Sequence, residues 1–293
     1  MSRVIFVMVL TGLLHIADSL YYGTRTAAVR VRKVGIAFSL WGIIALFTRL
    51  FNTIQAPLTG SIVDQALLGQ SHSVPASVLI PLAWKFRYII LASTIGSVIG
   101  ALLVPTFIEI FTKILQAFER EGSVIKVFFR MARARAVVSF AESLRKPVLA
   151  KPGTLRGSSI PRGFLIANAI LVGIYTTGVL STIYSGALIP QYRLTADNLS
   201  GVINGIATLL LVIVVDPIIS LITDQAVHGE RNPDDVKIMV WYLVAGKIGG
   251  TILAQLFFLP ASAIIASTAL LIAKPAQVLA HPSVLLQFFS RLI

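Results

Sequence analysis

Six apolar stretches constrain this chain more than any motif it carries. They cover residues 4–22, 34–58, 87–107, 164–189, 199–222 and 240–259. Most approach or reach the ~20 residues a helix needs to cross the hydrocarbon core of a bilayer. Backbone N–H and C=O groups find no water there, so only helices or closed barrels can span it. The ten-residue alternation of a barrel strand is absent, and Pro57, Pro105, Pro217 and Pro260 punctuate the stretches near their ends. The expected fold is an all-α integral membrane protein with about six transmembrane helices. Composition agrees, with 56% hydrophobic and 13% charged residues, where a soluble domain is about a quarter charged. The first stretch has Arg3 ahead of an apolar run but no small-x-small site after it, and it carries His15 and Asp18. It reads as a retained helix rather than a cleaved signal.

Two of the stretches close on nearly the same sentence. Pro57-Leu-Thr-Gly-Ser-Ile-Val-Asp64-Gln65-Ala66-Leu-Leu-Gly69 and Pro217-Ile-Ile-Ser-Leu-Ile-Thr-Asp224-Gln225-Ala226-Val-His-Gly229 match at six of 13 positions without a gap, 160 residues apart. A weaker echo pairs Ile95-Gly96 with Ile248-Gly249 at an offset of 153. Duplication in a membrane chain points to a transporter built of repeats, with its substrate site between them. Three spans per repeat is an odd number, which sets the copies in opposite orientations. The expected division is a three-helix repeat over residues 1–115, a basic linker with an in-plane helix over 116–162, and a second repeat with an amphipathic tail over 163–293.

The net charge of +13 is concentrated. Residues 119–162 hold ten Lys/Arg against three Glu, and Arg25, Arg30, Arg32 and Lys33 fill the first loop. This pattern fits cytoplasmic loops held by the positive-inside rule and attracted to anionic lipids, rather than a nucleic-acid surface. It places the N-terminus outside, with loops one, three and five in the cytoplasm. Lys126, Arg130 and Arg133 recur on one face of residues 122–146, with Val127, Phe128, Phe129 and Met131 between them, as in a helix lying in the membrane plane or an ordinary linker helix.

Polar residues recur at helical spacing inside the spans. His15, Asp18, Tyr22 and Arg25 share one face of the first. Arg49, Asn52 and Gln55 form a second stripe, Lys247, Thr251 and Gln255 a third, and Asn204, Thr208 and Asp216 a fourth. Charge at membrane depth is costly, so it faces a cavity or a partner. The functional reading is a chamber lined by helices one, two, five and six, with Arg25, Arg49 and Lys247 as its cations and Tyr22, Asn52 and Gln55 beside them. The structural alternative pairs Asp18 with Arg49 and Asp216 with Lys247. His15, Asp18 and Asp216 are candidates for coupling. Asp64 and Asp224 would gate opposite mouths or serve as helix-end turns ahead of Gly69 and Gly229.

Catalytic constellations are missing from the sequence. The four histidines lack metal-ligand spacing, no cysteine supplies a thiol or disulfide, and Gly246-Lys-Ile-Gly-Gly is not a phosphate loop. The chain therefore reads as a non-enzyme without cofactor or metal.

The run His15-Ile-Ala-Asp18-Ser-Leu-Tyr-Tyr22-Gly-Thr-Arg25-Thr-Ala-Ala-Val-Arg30 resembles the opening of the Amj-type lipid II flippases. So do Ser39-Leu40 and Arg49-Leu-Phe-Asn52-Thr-Ile-Gln55-Ala56-Pro57-Leu58-Thr-Gly60-Ser-Ile-Val-Asp64. The resemblance is strongest over residues 10–66 and departs at Ala28 and Val31, where Gly and a small polar residue are expected. It implies export of lipid II, an undecaprenyl-pyrophosphate glycopeptide of peptidoglycan synthesis, across the bacterial cytoplasmic membrane as an alternative to the MurJ exporter. The residues that bind are not carried by the resemblance; they rest on the stripes. A cationic, water-filled chamber lowers the barrier to moving a diphosphate through hydrocarbon, and arginine forks suit its oxygens. A transporter of another polyprenyl-phosphate lipid or organic anion, and a non-transporting envelope scaffold, stay open beside it, as does a homo-oligomer.

Overall fold

A computed structural model describes residues 1–70, 74–131, 143–145 and 160–275. Among the described residues, six helical spans are long and apolar enough to cross a membrane, and no strand occurs. The helices are α1 (Ser2–Val31), α2 (Val34–Leu67), α3 (Ala76–Glu121), a short α4 (Val124–Met131), α5 (Arg162–Leu188), α6 (Arg193–Leu210), α7 (Asp216–His228) and α8 (Pro233–Ala273). A tight turn at Pro190–Tyr192 precedes α6, and a π-helical turn at Leu211–Val215 joins α6 to α7 as one span. The amphipathic tail at 283–293 and most of the basic linker lie outside the described residues; of the expected in-plane helix over 122–146, residues 122–131, which hold α4, and 143–145 are described.

All six expected spans are present, and all are longer than the sequence predicts. α3 has 46 residues, or ~69 Å at 1.5 Å per residue, more than twice the hydrocarbon thickness. Its last third carries Glu109, Lys113, Glu119 and Arg120 and projects beyond the apolar window. The prolines need correction. Pro57, Pro105 and Pro260 lie inside α2, α3 and α8 rather than at their ends. In a membrane, helices run on through a proline because no better partner awaits the backbone groups it frees. Of the four, only Pro217 stands in the first turn of a helix, α7, and it directly follows the π turn, where its missing donor interrupts the ladder of the span.

The closest helix pairs are α1 with α3 and α5 with α8. Glycine permits both approaches. A Cβ on Gly96 would lie 2.8 Å from the Gly12 Cα, and one on Gly100 would lie 2.6 Å from the Ser19 Cβ. In the other pair, a Cβ on Gly250 would lie 2.9 Å from the Val172 Cβ, and one on Gly173 would lie 3.0 Å from the Gly250 carbonyl. Small residues four apart are the membrane solution to close helix contact, because lipid is as apolar as the helices. The close contact in the second half falls at Gly250; Gly249, matched to Gly96 in the sequence, meets open space.

These two pairs meet at the centre. Phe86, Tyr184 and Phe258, one each from α3, α5 and α8, cluster with ring centroids 5.2–5.8 Å apart, and the buried Tyr184 hydroxyl donates to the Leu79 carbonyl at 3.2 Å. Gln255 and Arg87 exchange hydrogen bonds across α3 and α8. Gln255 thus belongs to the packing rather than to a chamber stripe. The α2 and α6–α7 spans are peripheral and largely unburied. They present Leu46, Leu50 and Ile54, and Val202, Ile206 and Ile213, outward, as lipid-facing surface.

Candidate functional site

Between the central pairs and the two peripheral spans lies a polar chamber of two joined lobes. The first holds about 780 Å³ of open space and reaches along α2 to Asn52, Gln55 and Thr59. The second holds about 1000 Å³ and reaches toward Tyr22, Asp216 and Lys247. His15, Asp18, Thr48, Tyr175 and Thr176 line both and make them continuous. The walls come from α1, α2, α5, the α6–α7 span and α8. The expected set omitted α5, which contributes Asn168, Tyr175 and Thr176. Asn168 and Tyr175, seven residues apart on one helix face, were the signal available.

The α1 stripe does what its spacing predicts over most of its length. His15, Asp18 and Tyr22 line the chamber. The Tyr22 hydroxyl donates to the Asn168 side-chain oxygen at 3.2 Å, and Asn168 donates to the Leu243 carbonyl at 3.4 Å. His15 Nδ1 lies 3.5 Å from the Ser97 hydroxyl. Arg25 leaves the wall. It is 2% exposed, its guanidinium sits 3.9 Å from the centre of the Phe38 ring, and one of its nitrogens donates to the Tyr21 hydroxyl. Its Nε and second terminal nitrogen have no hydrogen-bond partner among the described residues.

The expected charge pairs are crossed over. Lys247, 3% exposed, places its ammonium 3.4 Å from the Asp18 carboxylate. Asp18 therefore pairs with Lys247 rather than with Arg49, and Asp216 does not pair with Lys247. α1 packs on both α2 and α8, and at the level of Asp18 it is α8 that brings the partner. Arg49 lines the first lobe from α2 and Asp216 the second from α7, and neither side chain has an ion-pair or hydrogen-bond partner among the described residues. Asn52 lies one turn from Arg49 on the same wall, and Gln55 donates to the Thr11 hydroxyl at 2.7 Å.

Asp216 owes its position to the π turn. In a straight α-helix, eight residues leave it roughly 80° off the line of Thr208. One residue of extra winding takes back roughly 100°, and both residues line the second lobe. The buried oxygens of Thr176 and Asn204, at the first lobe, have no protein partner among the described residues.

Asp64 and Asp224 lie outside the chamber. Each sits five residues before a glycine with positive φ, 78° at Gly69 and 81° at Gly229, that ends its helix. Asp64 pairs with Arg193 and Asp224 with His228 at 3.6 Å. Among the described residues, no cluster of His, Asp or Glu could hold a metal ion.

The geometry is that of a cleft lined by polar side chains among helices long and apolar enough to cross a membrane, with one cation, Arg49, on its α2 wall and an apolar exterior. Comparison with known proteins gives it a context. The family model for Amj, described as the alternate to MurJ, matches residues 10–269. The lipid II flippase Amj of Bacillus subtilis (strain 168) is 33% identical over 266 residues, which is 90% of this chain and 96% of that protein. No solved structure matches the chain.

Proposed function

The chain belongs to the Amj family, and from that premise we propose that it is a lipid II flippase of the bacterial cytoplasmic membrane, a transporter and not a catalyst. The observation that carries the reading is Arg49, an arginine on a membrane-depth wall with no protein partner among the described residues. A charge there is costly unless something answers it, and a diphosphate answers a guanidinium through two oxygens at once.

In this reading the pyrophosphate enters the chamber against Arg49, with Asn52, Gln55 and Tyr22 offering further hydrogen bonds to the head group. Lys247 holds Asp18 and shapes the wall. The prenyl tail stays in lipid through the gap between α2 and α6, whose backbones scarcely approach one another. Residues 1–115 and 163–293 are the two inverted units that rock, with the N-terminus outside and the basic linker in the cytoplasm on anionic lipid.

Supporting the division, neighbour relations recur between the halves. α1 to α3 matches α5 to α8, α1 to α2 matches α5 to α6, and α1 on α7 matches α5 on α2. The test is head-group accessibility of fluorescent lipid II in proteoliposomes. Wild type flips it, and Arg49→Ala, which removes no side-chain hydrogen bond or ion pair seen among the described residues, loses most of the rate. Wild type that leaves lipid II in its leaflet while flipping another polyprenyl phosphate would replace the substrate. Full transport by Arg49→Ala would discard the site.

A further inference from the structure

Arg193 opens α6, and its guanidinium holds Asp64 near the end of α2. The same group donates to the Gly60 carbonyl at 3.3 Å and lies 3.7 Å from Asp197. One side chain therefore straps the C-terminal end of α2 to the N-terminal end of α6, beside the first lobe. Among the described residues, no other hydrogen bond or ion pair joins these two helices.

The offset of 160 that relates Asp64 to Asp224 also relates Lys33 to Arg193. Local structure carries the same offset. The Arg32 N–H donates to the Val29 carbonyl at 3.2 Å, and the Tyr192 N–H donates to the Ile189 carbonyl at 2.9 Å. Lys33 stands immediately before α2 as Arg193 stands at the start of α6. Each peripheral span thus begins at a cation and ends at an aspartate followed by a left-handed glycine. The spans run in opposite directions, so the cation of each lies at the same face as the aspartate of the other. At one face the cation and the aspartate are joined, Arg193 to Asp64. At the other they are apart: Lys33 lies 3.1 Å from Glu119, and Asp224 lies 3.6 Å from His228.

We propose that Arg193–Asp64 and Lys33–Asp224 are alternating latches. The first is closed in the state seen here, and the second closes as the first opens when the chamber turns to the other face. The proposal rests on the alternating-access reading above and names the residues that would bias it. Exposed ion pairs are individually weak, which suits contacts that must break in every cycle. Breaking one while making the other keeps the two states near balance.

The chain has no cysteine, so single thiols report cleanly. Ala56→Cys marks the first lobe and Ala45→Cys the second. Each is exposed to a membrane-impermeant maleimide, added from the Asp64 face or the Asp224 face of oriented proteoliposomes. Arg193→Ala and Asp64→Ala each raise labelling of Ala56→Cys from the Asp64 face by roughly two- to fivefold, the shift an exposed ion pair can set. The exchanged pair Asp64→Arg with Arg193→Asp returns labelling toward the parent, and Arg193→Lys keeps it there. Lys33→Ala costs the state seen here its exposed pair with Glu119 and the other state its latch, so it moves labelling less than Arg193→Ala does. Unchanged labelling in Arg193→Ala would overturn the proposal. So would labelling in Arg193→Lys as high as in Arg193→Ala, a readout that stands even where the exchanged pair fails to fold. No lipid II is present in this assay, so its failure is separate from failure of the substrate reading.

Discussion

Removing the carboxylate of Asp18 should injure the fold before it injures transport. Asp18 lies 3.4 Å from the Lys247 ammonium, with side-chain exposures of 45% and 4%. At an effective dielectric constant of about 20, two unit charges at that distance attract by ~5 kcal/mol. Chamber water reaches Asp18 and screens part of this, whereas Lys247 has almost no water to fall back on. Truncating one partner of a buried pair costs about 3–5 kcal/mol because the other charge is stranded; the open Asp18 puts this case near the lower end, ~3 kcal/mol. Asp18→Asn should lower the melting temperature in detergent by roughly 6–12 °C, at about 2–4 °C per kcal/mol. Replacing the ammonium as well, Asp18→Asn with Lys247→Met, should recover more than half of the loss, since a neutral wall strands nothing. The four melting curves form a double-mutant cycle. Asp18→Asn melting within 2 °C of the parent, or a double variant no better than the single, would refute the pairing.

Other outcomes follow from contacts already described. Gly96→Ala sets a methyl 2.8 Å from the Gly12 Cα and should cost about 1–3 kcal/mol by overpacking, whereas Gly35→Ala, in open space on α2, should be neutral or stabilising in the same thermal melt. Gly229→Ala must hold a left-handed φ of 81° and should cost about 1–2 kcal/mol, read by the same assay. Single thiols at Ser2 and at Glu230, in the turn between α7 and α8, should be labelled by an impermeant reagent from outside and from the cytoplasm respectively. Labelling of both from one face would break the six-span topology.

The spans were readable because the bilayer leaves a chain so few options. Their ends were not: α3 continues as a charged helix well beyond the apolar window that announced it, and α2 runs ten residues past Pro57. The α1 stripe was legible as far as Tyr22, since i, i+3 and i+7 share a face wherever a helix is regular. Arg25 is one turn further on the same face, yet α2 packs Phe38 against it, and a helix cannot declare its neighbours. The same ignorance crossed the charge pairs: Asp18, Arg49, Asp216 and Lys247 are all in the sequence, but which meet depends on the order of helices around the chamber. Arg193 carries no signal of its own in the sequence; its distance of 160 from Lys33, the same as from Asp64 to Asp224, is what sets it apart.

The wide turn at Leu211–Val215 gives the fifth span two reading frames. Residues before it and after it each follow helical periodicity, but the two periodicities are out of step by about one residue. α2, its counterpart in the duplicated pattern, is helical without such a step from Val34 to Leu67. A gapless comparison of the two halves therefore sets like faces opposite one another on only one side of the turn. The copies can share a motif letter for letter at Asp64 and Asp224 and still present unlike walls to whatever lies between them.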